Sequence, residues 1–289
     1  MQQSRLPTAI VTDSNISLPS SLIEGLPLCV VPLEIHHEGH VYQDGVDISP
    51  TRFYEMQTQG QELPRTSAPQ PGAFLRAFEQ AAAMTDHVIC ITLAAHLSAT
   101  HDAAASARRQ AAESLPGLDI TLVDSKSAGT AQGLIALGAA RQAQAGESSE
   151  RVLETIHERI QDTCLYGYLD TLYYVWKGGR VPRVLMWMGN LLQMKPVLQL
   201  YQGEIGMIER PRSARRAMDR LVALASQRLD GRRGRIAVMH ANDADGAARL
   251  AERLQQLDPV EMFTTEFTPV IGAHTGPGLV GCAMHPVEA

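Results

Sequence analysis

The chain of 289 residues carries 31 acidic and 25 basic side chains, a net charge of -6, with 45% hydrophobic and 19% charged residues. That balance is the composition of a folded globular protein, and it runs against a general nucleic-acid-binding surface. Basic residues cluster only locally, in "RPRSARRAMDR" (210–220) and "RLDGRRGR" (228–235), and read as solvated helix ends or faces.

In chain order, "TAIVTDS" (8–14) predicts a buried strand ending in Asp13 and Ser14, with a helix near "LPSSLIEG" behind it. "LCVVPLEIHHEG" (28–39) predicts a second strand running into a turn, and "VYQDGVDISPTRFYEMQ" an extended piece and a helix. "HVICITLA" (87–94) is a third strand, followed by the Ala-rich helix of "SATHDAAASARRQAAESL", with Ser98 at its N-cap. "DITLVDS" (119–125) repeats the Asp-Ser ending with Asp124 and Ser125, and "AGTAQGLIALGAARQAQAG" predicts a buried helix of small residues. Strand and helix alternating in this rhythm predict a mainly parallel sheet with flanking helices.

"AGESSERVLETIHERIQD" (145–162) predicts an amphipathic helix with Val152, Ile156 and Ile160 on one stripe and Ser148 or Ser149 as its cap. The segments "CLYGYLD", "PVLQLYQGEIGMI" and "RIAVMHA" then alternate with helical stretches, and Gln202-Gly203 has hairpin chemistry, so this half is expected to be mixed α/β. The expected domains are an N-terminal α/β unit over 1–155 and a C-terminal mixed α/β unit over 156–289. The apolar run "RVLMWMGNLLQMKPVLQL" (183–200), with Met186, Met188 and Met194, suits either a core or a wall around a flexible ligand. Near the end, Phe267 to Ile271 reads as a last buried strand, with His274 emerging where it stops and Gly276-Pro277-Gly278 turning the chain.

Four polar clusters fall at predicted strand ends or helix starts. Thr66 and Ser67 in "PRTSAPQPG" are either hydroxyls of an anion site or the N-cap of the next helix. Ser98 is either a plain cap or an anion ligand at a helix N-terminus. His274 is the third, and the pair Arg210 and Arg212, either of which can neutralise an acid, is the fourth. No GxSxG, HExxH, GxGxxG or GxxxxGK[ST] motif occurs, and no histidine-carboxylate clustering names a metal site. Cys29, Cys90, Cys164 and Cys282 form no CxxC pair and read as reduced core thiols. With no long apolar leader and nothing approaching ~18 uninterrupted apolar residues, the expected location is the cytoplasm, without stable membrane insertion. Hydroxyls beside aliphatic surface fit an amphiphile with a small acidic head. A hydrolase or acyl transferase using Ser98 or Thr66 with His274 is the alternative, since triads follow geometry and not order.

The motifs "TDSNISLP", "PRTSAPQPG", "LSATHDAA", "VDSKSAGTAQG", "WKGGRV", "MKPVLQLYQGEI" and "IGAHTGPGLVG", in this order over nearly the whole chain, resemble those of the DegV family. The resemblance implies a two-domain α/β protein, with no cofactor and no catalysis of its own, that holds a long-chain fatty acid between its domains. In that family some members are the carrier subunit of a bacterial fatty acid kinase. It implies that Thr66, Ser67, Ser98 and His274, joined by Arg210 or Arg212, bind the carboxylate, and that Arg180 in "GGR" faces the partner kinase. Ala68, Gln70 and Ala99 depart from the residues usual in relatives, which alters the polar shell around the head group.

Overall fold

The computed structural model describes residues 5–60, 62–181 and 194–287. Most of the Met-rich run at 183–200, with Met186 and Met188, lies outside the described residues.

Strands β1 (Ala9–Asp13), β2 (Leu28–Val31), β6 (His87–Thr92) and β7 (Asp119–Asp124) form a parallel sheet in the order β2-β1-β6-β7. Their β-branched, apolar runs are those of strands covered on both faces. Helices α3 (Pro71–Ala82) and α4 (Thr100–Ser114) cover one face, where Phe74, Phe78 and Ala107 pack with Val11, Val88 and Cys90. On the other, Ile135 and Ala139 of α5 (Thr130–Gln144) and Ile156 of α6 (Ser149–Asp162) pack with Ile10, Ile89 and Ile91. Ser148 caps α6, its hydroxyl accepting from Arg151 N–H. The helix runs unbroken through residues 155 and 156.

A six-stranded mixed sheet has the order β10-β9-β8-β13-β11-β12, from β8 (Cys164–Tyr168), β9 (Val197–Tyr201), β10 (Glu204–Glu209), β11 (Gly234–His240), β12 (Glu261–Glu266) and β13 (Val280–Pro286). Only the β11–β12 pair is parallel. The β9–β10 hairpin turns at Gln202 and Gly203, both with positive φ, as its dipeptide predicts. Helices α8 (Ala214–Leu229) and α9 (Ala244–Leu254) cover the outer face, where Met218, Leu221 and Leu250 meet Tyr166, Ile236 and Val238. Helix α5 is buried nearly all round because it packs against both sheets, which explains its small residues. Among the described residues, no helix is long and apolar enough to cross a membrane, and all four cysteines are free thiols.

Three expectations are corrected. Residues 28–39 hold two strands: parallel pairing stops before Pro32, and β3 (Glu34–His37) begins a separate antiparallel sheet, β4-β3-β5, with β4 (His40–Gln43) and β5 (Arg65–Ser67). Ser98 precedes the N-cap of α4, which is Ala99. Phe267 to Ile271 is not a strand, because Pro269–Thr275 is a short helix, α10, capped at Thr268 with Pro269 in its first turn. Phe267, Val270 and Ile271 are spaced i, i+3, i+4, a helical period, and Pro269 inside the run argues against a strand. The last strand, β13, instead runs through the middle of the six-stranded sheet, and α10 carries His274.

Candidate functional site: an aliphatic cavity with a threonine–histidine pair

The parallel strands end on loops that face the inner side of the six-stranded sheet, the usual place for ligands in α/β folds. A cavity with about 1100 Å³ of atom-free space, part of it open to solvent, lies between them. Asn15, Leu93 and Gly129 enter from the ends of β1, β6 and β7, and Leu165, Gly167 and Leu169 from β8 and the residue after it. The period of two along β8 explains this division: Leu165 and Leu169 face the cavity side, while Tyr166 and Tyr168 belong to the core beneath α8 and α9. Val175, Leu198 and Phe267 complete walls that are mostly aliphatic.

Thr66, Ser67, Ser98, Arg180 and His274 all line this cavity, alongside the polar Asn15, Gln199 and Thr275. Thr66 and Ser67 reach it on β5, whose pairing with β3 sets Thr66 opposite Ile35. They are therefore not caps, since α3 is capped by Gln70 without a side-chain hydrogen bond. The Thr66 hydroxyl lies 2.8 Å from His274 Nε2. Ser67 points into a separate network, donating to Glu34 at 2.9 Å and lying 2.8 Å from His36 Nε2. Ser98 Oγ accepts from Thr100 N–H at 3.3 Å and sits 2.8 Å from the Thr100 hydroxyl.

The repeated Asp-Ser strand ending acquires a purpose here. Asp13 at the end of β1 accepts from Leu93 N–H at 2.8 Å, and Asp124 at the end of β7 accepts from Ala95 N–H at 3.2 Å. The two aspartates thus hold, from either side, the loop between β6 and α4 that carries Ser98. Asp13 is fully buried, and burial, the largest influence, pushes its pKa up to about 7. Asn15, at the same strand end, accepts from Gly129 N–H at 2.7 Å.

His274 occupies the last turn of α10, which is anchored at its start by Asp44 accepting from Val270 N–H and in its middle by Gln57 donating to the Gly272 carbonyl. The residue is half-buried, yet Nδ1 is sealed without a hydrogen-bond partner. Burial lowers its pKa to about 4, and the nearby Arg180 guanidinium pushes the same way, so the ring is neutral at pH 7. Gly276, at φ 70, turns the chain out of α10, and a Cβ there would overlap the Tyr174 ring. The Thr66–His274 pair has the form of a hydroxyl and its base, but no carboxylate orients Nδ1 as a triad requires. A hydroxyl that accepts from an imidazole N–H keeps its own proton for a ligand oxygen, so the pair suits holding an oxyanion.

Arg210 and Arg212 do not join this site. Both are exposed, and neither lines the cavity, because β10 carries the chain to the outer edge of its sheet before them. Among the described residues, Arg180 is the arginine that lines the cavity; it is exposed, with Nη1 donating to the Gly178 carbonyl at 2.7 Å. The sequence reading missed Asn15, whose place two residues beyond Asp13 was the available signal, and it gave Arg180 only an outward role.

Fold and site together define a three-sheet α/β protein built around a mostly aliphatic cavity that holds a hydrogen-bonded Thr66–His274 pair with Arg180 nearby. Residues 7–287 match the model described as uncharacterised protein, DegV family, and the chain belongs to that family. A DegV domain-containing protein of Streptomyces coelicolor is 36% identical over 279 residues, covering 96% of this chain and 97% of that protein. A solved structure from Thermus thermophilus, described as fatty acid binding of a DegV family protein, matches with a TM-score of 0.90 at 31% identity, covering 97% of this chain and 99% of that one. The Bacillus subtilis protein DegV, described as a fatty acid binding protein, matches with a TM-score of 0.88 at 29% identity, covering 98% of this chain and 100% of that one.

Proposed function

We propose that this protein binds a long-chain fatty acid, with the acyl chain along the aliphatic walls and the carboxylate at Thr66, Ser98 and His274. The observation that carries this reading is the cavity itself, aliphatic over most of its surface and holding a hydroxyl bonded to a neutral imidazole. Family relatives described as fatty-acid-binding proteins support it. Burying about 14 methylenes contributes on the order of 11 kcal/mol gross, before the costs of association and ordering. The buried carboxylate then needs donors, and Thr66 accepting from His274 while donating to the ligand provides one without a buried countercharge. Arg180, which lines the same cavity, adds a positive potential near His274.

In this reading the protein is a carrier and not an enzyme. It presents the carboxylate to a separate cytoplasmic kinase that forms an acyl phosphate, and the exposed Arg180 faces that partner. Native mass spectrometry of the purified protein tests the binding: an acyl chain is expected to co-purify, and failure to carry or take up any fatty acid overturns the reading. The carrier role is checked with p-nitrophenyl esters, which are expected to remain intact; partner-free turnover lost in His274→Ala would establish the hydrolase instead.

A further inference from the structure

A second cavity, with about 550 Å³ of atom-free space partly open to solvent, lies between α5, α6 and β11 and shares no lining residue with the first. Three guanidiniums line it, those of Arg141, Arg159 and Arg235. Two of them are matched by one acid: Arg141 donates to both Glu261 oxygens at 2.6 and 2.7 Å, and Arg235 Nε donates to the same carboxylate at 3.2 Å. Arg159 has no such partner. Among the described residues it forms no ion pair, and its Nη1 is sealed from solvent without an acceptor. Burial lowers its pKa to about 10; Arg235 and Arg141 push the same way, and Glu158 opposes them. The other charges nearby do not settle the excess. Glu147 lines the cavity but is exposed, and His285, facing Arg159 and Arg235, is held neutral with a pKa near 4, chiefly by burial.

The helix makes room for this unmatched charge. Gly138 lies in the interior of α5, where glycine is unfavourable, and a Cβ there would overlap Arg159 Nη1. Alanine would favour the helix and displace the guanidinium. A buried cation without an acid is costly unless something else supplies acceptors. Guanidiniums match tetrahedral oxyanions well, because several N–H donors meet several oxygens in one plane.

We propose that this cleft is an anion site that takes a phosphate group, free or as a small phosphomonoester, with Arg159 as its principal ligand and Arg141 and Arg235 beside it. The test is thermal melting and titration calorimetry of the full chain with inorganic phosphate and with glycerol 3-phosphate, against sodium chloride at equal ionic strength. Phosphate at saturating concentration is expected to raise the melting temperature by about 2–4 °C beyond the chloride control. Arg159→Met is expected to weaken phosphate at least tenfold and remove that shift. Gly138→Ala, which keeps the arginine but fills its seat, is expected to do the same and decides the matter if Arg159→Met does not fold. Tighter binding of glycerol 3-phosphate identifies a phosphomonoester, and equal binding identifies free phosphate. A wild-type response no larger than that to chloride, or a full phosphate response in a folded variant, overturns the proposal.

Discussion

The two cavities lie towards opposite ends of α5 and meet charge in opposite ways. At the N-terminal end, Gly129 helps line a space whose walls are aliphatic and whose one histidine is kept neutral. Towards the C-terminal end, Gly138 and Arg141 border a cleft lined by three guanidiniums, of which Arg141 and Arg235 share the Glu261 carboxylate and Arg159 does not. The first arrangement suits a ligand that brings mostly carbon and one weak acid, because neutral donors cost little to bury when the ligand is absent. The second keeps a standing positive charge that only a polar anion answers. Size does not separate ligand classes here; the placement of unmatched charge does.

The largest effect should come from breaking the first cavity at its turn. Gly276→Ala puts a side chain at positive φ against Tyr174 and is expected to cost about 2–3 kcal/mol, read as a lower melting temperature. Its phosphate response, set by the other end of α5, should survive, and loss of both would show the two regions to be coupled. Next come the head-group variants. His274→Ala is expected to weaken fatty acid affinity about 10- to 100-fold by calorimetry, and Ser98→Ala about fivefold, the ranges for charge-assisted and neutral hydrogen bonds. Affinity unchanged in both variants would remove the assigned head-group site.

Much of this contrast was legible in the sequence, and the rest failed for identifiable reasons. The parallel strands and the α6 stripe of Val152, Ile156 and Ile160 follow directly from periodicity and buried apolar runs. Thr66, Ser98 and His274 were singled out one by one at predicted strand ends and helix starts, and only the motif resemblance grouped them; Thr66 and His274 are 208 positions apart, so no local pattern joins them. The helix α10 was misread because its apolar period spans barely more than one turn, too short to separate a helix from a strand. Arg159 was invisible because a guanidinium on a predicted amphipathic helix looks solvated, and only the packing of α6 on α5 turns it inward. Arg210 and Arg212 show the converse: correct chemistry and local position, but a strand that leads to the outer edge.

A smaller effect sharpens the electrostatic half of the comparison. In phosphate-free buffer Arg159→Met is expected to raise stability by about 1–2 kcal/mol, because it replaces an unmatched, partly buried cation with an apolar chain of similar length. Chemical denaturation measures this. A loss of comparable size would mean that the arginine already supports the fold without an anion.

The smallest effect is a pH dependence that differs between the liganded and unliganded protein. His274 has a folded pKa near 4 against an ordinary value of 6.5, so below 6.5 the unfolded chain binds a proton that the folded chain refuses. Its contribution to stability is complete above pH 6.5 and is lost as the pH falls through 4. Full burial would make it about 3 kcal/mol, but the residue is half-buried, and about 1 kcal/mol is expected. His285 behaves with the same sign. A fatty acid carboxylate beside His274 favours the imidazolium and raises that folded pKa, so the loaded protein should lose less stability between pH 6.5 and 4. His285 faces arginines, and no acyl carboxylate reaches it. The difference between loaded and unloaded acid-unfolding curves should therefore vanish in His274→Gln and persist in His285→Gln. Persistence in both variants would place the carboxylate away from His274.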